Sequence, residues 1–156
     1  MPAGREHDVG REIAATWEEK FLEGPRGSTQ GFNALVDDTY ERLIKPDLDQ
    51  GFCGLVWALR TQTYTGQNFA GEILNRHEVP CLASLDELLA VVRDNFNASA
   101  RRTADYMRTS FGKAEVLDAI RGLAAAGGWT TQQRQRFEAF VYNLGERPET
   151  FFSEGE

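Results

Sequence analysis

The chain has 156 residues, 41% of them apolar and 26% charged, with a formal net charge of −7. That size and balance fit one domain with a core of its own and exclude a disordered chain, while the acidic total argues against free-standing affinity for nucleic acid. No apolar run approaches the ~20 residues of a membrane span, and residues 1–17 lack the apolar segment of a signal peptide, so a cytoplasmic protein without membrane contact is expected.

Residues 1–8 show no apolar pattern and are expected to form a disordered N-terminus. From Val9 the spacing turns helical, with Ile13, Trp17 and Phe21 four apart, until Gly24-Pro25-Arg26-Gly27-Ser28 breaks it. Phe32, Leu35, Val36, Tyr40, Leu43 and Ile44 make one apolar stripe of a second helix. On its outer face Asp38 precedes Arg42 and Glu41 precedes Lys45 by four, the favourable order for ion pairs, and Pro46 ends it. The apolar run Phe52–Leu59 keeps helical spacing, which predicts a buried helix from about Leu48 to Gln62. Phe69, Ile73 and Leu74 mark a fourth helix, capped by Thr65 and ending before Pro80.

Ser84 with Glu87 reads as a capping box ahead of Leu85, Leu88, Leu89, Val92 and Phe96. Ala100, Ala104, Met107 and Phe111 follow as a 4-3-4 stripe closed by Gly112, then Val116, Leu117, Ile120, Leu123 and Ala124 up to Gly127-Gly128. Thr130 and Gln133 form a second capping box before Phe137, Phe140, Val141 and Leu144, and Gly145 stops that helix. The pattern predicts an all-α fold: a single compact bundle-like domain of about seven to eight short helices over residues 9–145, followed by an acidic C-terminal tail over 146–156.

Chemistry-bearing motifs are scarce. His7 and His77 stand apart from other ligand types, and no HExxH is present, so no metal is expected. Asp47, Asp49 and Gly51 approach the start of an EF-hand loop, but the glycine is one position early and the glutamate at the twelfth is missing. No GxSxG, P-loop or GxGxxG occurs, and no histidine suits haem, so no cofactor is expected. Cys53 and Cys81 sit among apolar residues and read as reduced, buried thiols. The polar run Arg60–Asn68 reads as a helix end and the next N-cap; a ligand pocket or enzyme site near 60–68 is the third-ranked function.

Charge placement is the most informative feature. Residues 1–97 hold nine basic against sixteen acidic residues, residues 98–136 seven against three, and residues 137–156 one against five. The basic stretch comprises Arg101, Arg102, Arg108, Lys113, Arg121, Arg134 and Arg136, interleaved with Tyr106 and Trp129. Arginine forks grip phosphate or carboxylate and aromatics stack on bases, so these nine residues are the expected surface for nucleic acid or an acidic partner. In size, helical content and basic strip the chain resembles the small helical subunits of CRISPR effector complexes, a likeness of architecture that no motif carries.

The adjacent phenylalanines Phe151 and Phe152 are expected to dock on this protein or a partner. A non-enzymatic helical interaction protein, either an accessory subunit or a protein-binding inhibitor, is the first expectation. It implies a protein partner. The alternative is a nucleic-acid-binding subunit of a ribonucleoprotein complex that uses an arginine-rich face within 101–136.

Overall fold

The computed structural model describes residues 5–18, 29–97 and 100–151. Its eight α-helices form one packed, all-α body, and no strand occurs among the described residues. They are α1 (Arg5–Thr16), α2 (Thr29–Thr39), α3 (Leu48–Thr61), α4 (Tyr64–Arg76), α5 (Leu85–Asn95), α6 (Arg101–Phe111), α7 (Lys113–Ala126) and α8 (Thr131–Asn143). α2 runs on into a π-helical turn, Tyr40–Ile44. The long apolar stripe of the second predicted helix therefore spans two kinds of helix. Both outer-face ion pairs form, Arg42 to Asp38 at 3.8 Å and Lys45 to Glu41 at 3.2 Å.

Two clusters of buried side chains make up the core. The first gathers Ile13 from α1, Val36 from α2, Phe52 and Leu55 from α3, and Phe69 and Ile73 from α4. Here α1 and α3 approach through glycine. A Cβ added at Gly54 would lie 2.6 Å from Val9 Cγ1 and 3.1 Å from the Gly10 backbone nitrogen. Gly51 faces the π-helical turn in the same way, where a Cβ would meet Ile44 Cα at 2.7 Å. Neither position has room for a side chain, so the sequence sets the interhelical distance there directly. Trp17 completes this cluster, with its ring 5.3 Å from Phe69 and edge-on to Phe32 at 5.8 Å.

The second cluster is built from large side chains of α5–α8: Leu89, Met107, Ile120, Phe137, Phe140 and Leu144. Phe96 meets Phe140 edge to face at 5.3 Å. α5 and α6 serve both clusters. Val91 and Tyr106 belong to the first, while their neighbours Val92 and Met107 belong to the second.

Several boundaries differ from the sequence reading. Residues 5–8, expected to be disordered, form the first turn of α1, while residues 1–4 and the break at 24–28 lie outside the described residues. α4 starts at Tyr64, so Thr63 rather than Thr65 is its N-cap, and it caps through backbone alone. At α5 the box is half formed: Ser84 Oγ accepts from Glu87 N at 3.2 Å and donates to the Glu87 carboxylate, leaving the Ser84 N–H out of the exchange. The Thr130–Gln133 box is complete, with both bonds at 3.1 Å. The tail is not free along its first half. Pro148–Thr150 form a 3-10 turn that brings Phe151 into the second cluster at 8% exposure.

Candidate functional site

The predicted basic surface depends on helix α6. Ala100, Ala104 and Met107 are held inward by the second cluster, which turns Arg101, Arg102 and Arg108 outward. Their charges are largely matched. Asp105, whose side chain is only 14% exposed, accepts from Arg102 Nη1 at 3.1 Å and from Arg108 Nη2 at 3.3 Å. Arg102 also reaches across to α4, donating from Nε to Glu72 at 3.0 Å. Arg101 makes no ion pair among the described residues.

The remaining predicted residues scatter. Lys113 pairs with Glu146 at 2.9 Å, Arg121 with Asp118 at 2.9 Å and Arg134 with Glu138 at 2.8 Å. Arg136 donates from Nη1 to the Arg93 carbonyl at 3.0 Å, closing α8 onto α5. The Arg121 guanidinium also lies 4.8 Å over the Phe151 ring, so Phe151 docks on this chain itself; Phe152 lies outside the described residues. Trp129 donates its indole N–H to the Leu123 carbonyl at 3.1 Å and packs edge-on against Phe137. With Arg134 it lines a groove of about 700 Å3 at the α7–α8 corner, which neither Arg101 nor Arg108 lines.

Tyr106 lies apart from the other predicted residues. It is 4% exposed, and its hydroxyl donates to the Val79 carbonyl at 2.6 Å. Burial pushes its phenol pKa up, so it stays a neutral donor. A ring so enclosed offers no face to a base. The aromatic that stands among the arginines is Tyr142, on α8, at 73% exposure. Its helix buries Phe137, Phe140 and Val141, and the next position along turns to solvent. Tyr142 lines a groove of about 690 Å3 with Arg101 and Arg108 from α6 and Arg147 from the turn after α8. Glu146 and Glu149 line it too, so three arginines meet two glutamates there. A spacing count on α8 would have found Tyr142, since it falls outside the 137–140–141–144 stripe.

Within the polar run 60–68, Arg60, Thr61, Thr63 and Tyr64 are exposed, while Gln62 and Gln67 bind the chain to the end of α5. The Gln62 carbonyl accepts from Asn95 Nδ2 at 3.0 Å and from Gln67 Nε2 at 3.0 Å, and Gln67 Oε1 accepts from Asn97 N at 3.0 Å. His77 is likewise engaged. Its Nε2 pairs with Asp37 Oδ1 at 2.8 Å, its ring stacks on Tyr40 at 4.0 Å, and Arg76 grips the same carboxylate through Nε and Nη2. The Arg76 hydrogen bond outweighs desolvation and holds the Asp37 carboxyl below its usual range.

No helix among the described residues is long and apolar enough to cross a membrane, and no group of three or more His, Cys, Asp or Glu among them is placed to hold a metal ion. Compared with protein-family models, with curated proteins and with solved structures, the chain matches none significantly.

Proposed function

We propose that this chain acts by binding, as a helical interaction protein that docks a protein partner on the face shared by α6 and the end of α8. One observation carries the reading: Tyr142 stands 73% exposed in a groove whose cationic walls are Arg101, Arg108 and Arg147. Tyrosine and arginine are the residue types that dominate binding energy at protein interfaces, because each offers a broad apolar body with a polar tip. The near balance of charge in the groove favours a protein over a polyanion. A nucleic-acid strand needs uncompensated positive charge along its track, and here Arg108 already shares Asp105 and Glu149 lines the groove, while its other glutamate, Glu146, is held by Lys113. A partner suited to this face presents one or two carboxylates for Arg101 and an apolar recess for the Tyr142 ring.

The test is quantitative capture from the source cell's extract by the full chain and by Tyr142→Ala and Arg108→Glu variants, with and without nuclease. One stoichiometric protein, retained after nuclease and lost with Tyr142→Ala, is expected; truncating such an anchor costs about 2 kcal/mol or more. A partner bound equally by all three proteins would overturn the assignment of this face. Capture that disappears with nuclease would replace the protein partner by a nucleic acid.

A further inference from the structure

On the opposite side of Arg101, helices α2, α4 and α6 enclose a second groove of about 680 Å3 that the docking face does not use. Its polar walls are Asn33 from α2, Asn68, Glu72 and Arg76 from α4, and Arg101 with Arg102 from α6. Hydrogen-bond donors dominate it. Glu72 is occupied by Arg102, Arg102 is held further by Asp105, and Arg76 is held by Asp37. Three side chains remain uncommitted: among the described residues Arg101 has no ion pair, and the half-buried Asn33 and Asn68 carboxamides have no hydrogen-bond partner. Phe32, packed edge-on against Trp17, supplies an apolar patch beside them.

The start of α6 adds to this surplus. Ala100 provides no side-chain cap for its first-turn N–H groups, and two arginines open the helix. Positive charge at the positive end of a helix dipole is locally unfavourable, and an anion seated there relieves it. A guanidinium fork beside neutral amide donors suits a group with several strong acceptor oxygens on one atom.

We propose that this groove binds the phosphate of a small phosphate ester, with Arg101 supplying the charge and Asn33 and Asn68 the neutral donors. The apolar patch at Phe32 leaves room for the organic part of the ester. The site shares only Arg101 with the docking face, so the two readings separate experimentally.

The experiment is a titration of the isotopically labelled full chain with inorganic phosphate, adenosine monophosphate and succinate, followed by amide correlation spectra. Phosphate and the nucleotide are expected to shift the Asn33 and Asn68 side-chain signals and the first turn of α6. Arg101→Ala at the exposed start of α6 and Asn68→Asp at the half-buried wall of the groove should each weaken that binding roughly tenfold or more, the loss of one charged or well-placed donor. Tyr142→Ala should leave it unchanged while abolishing partner capture. The proposal is overturned by absence of shifts up to about 10 mM of either phosphate probe, about ten times the dissociation constant of a weak, ~1 mM site. Shifts that survive both substitutions would overturn it as well, as would succinate binding as tightly as phosphate.

Discussion

The two clusters use glycine for opposite purposes. In the α1–α4 half, Gly51 and Gly54 lie inside a helix with another element pressed against their Cα atoms, and what matters is the missing methyl. In the α5–α8 half, Gly112 and Gly127 close helices at φ of +89° and +73° with nothing within 4 Å of a built Cβ, and what matters is the backbone angle. One residue type thus sets interhelical distance in the first half and chain reversal in the second. The first half adds close backbone approach to its large buried side chains, and the second relies on large interdigitated side chains joined through sharp helix ends.

Substitutions sharpen this contrast. The largest loss is expected from Phe140→Ala, which empties the centre of the second cluster and should cost about 3–5 kcal/mol in urea-unfolding stability. A loss below about 1 kcal/mol would show that this half is loosely packed. Next is Gly51→Ala in the first half, where the new methyl meets the Ile44 backbone; overpacking of this kind costs about 1–3 kcal/mol. Gly127→Ala should cost about 1–3 kcal/mol from the backbone angles alone, since φ of +73° with ψ of −165° is open to little but glycine, despite the free space around it. Gly122, mid-way along the exposed face of α7, has neither constraint, and Gly122→Ala should stabilise by about 0.5–1 kcal/mol. If all three glycine substitutions shifted the midpoint alike, the division of roles would be wrong.

The smallest effect concerns the latch between α2 and α4. Because Arg76 depresses the folded-state pKa of Asp37, this carboxylate contributes stability above its unfolded pKa of about 3.9 and loses it as pH falls through the folded value. The stability difference between wild type and Asp37→Asn should therefore be present near about pH 7 and fade toward about pH 2. A difference that grows on acidification would contradict the pairing seen here. Both side chains are well exposed, so the difference is expected to be small and to shrink with salt.

Local signals in the sequence carried most of the fold. The Thr130–Gln133 box, the α3 run Phe52–Leu59 and the stripe from Ala100 to Met107 each lie within one element, so spacing alone exposes them. The candidate surface was harder to read because it depends on partners far along the chain. Glu72 and Arg102 are thirty residues apart, and the local excess of basic residues over 98–136 is offset in part by acidic side chains from α4 and from the turn after α8. Tyr106 was hard to place for a related reason: it sits among arginines in the sequence, while its hydroxyl finds the carbonyl of the distant Val79 inside the protein. Spacing could not reveal that α6 buries two faces rather than one.

That double burial has a kinetic consequence. A helix whose adjacent residues Tyr106 and Met107 close different cores cannot be released by opening either one alone. The α6 amides are therefore expected to be among the slowest to exchange hydrogen with solvent, at a rate set by global unfolding, while the outer helices α1 and α7 exchange through smaller excursions. A surface mounted on α6 would then keep its geometry through fluctuations that loosen the periphery, so a bound partner would lose little to ordering the arginines it meets.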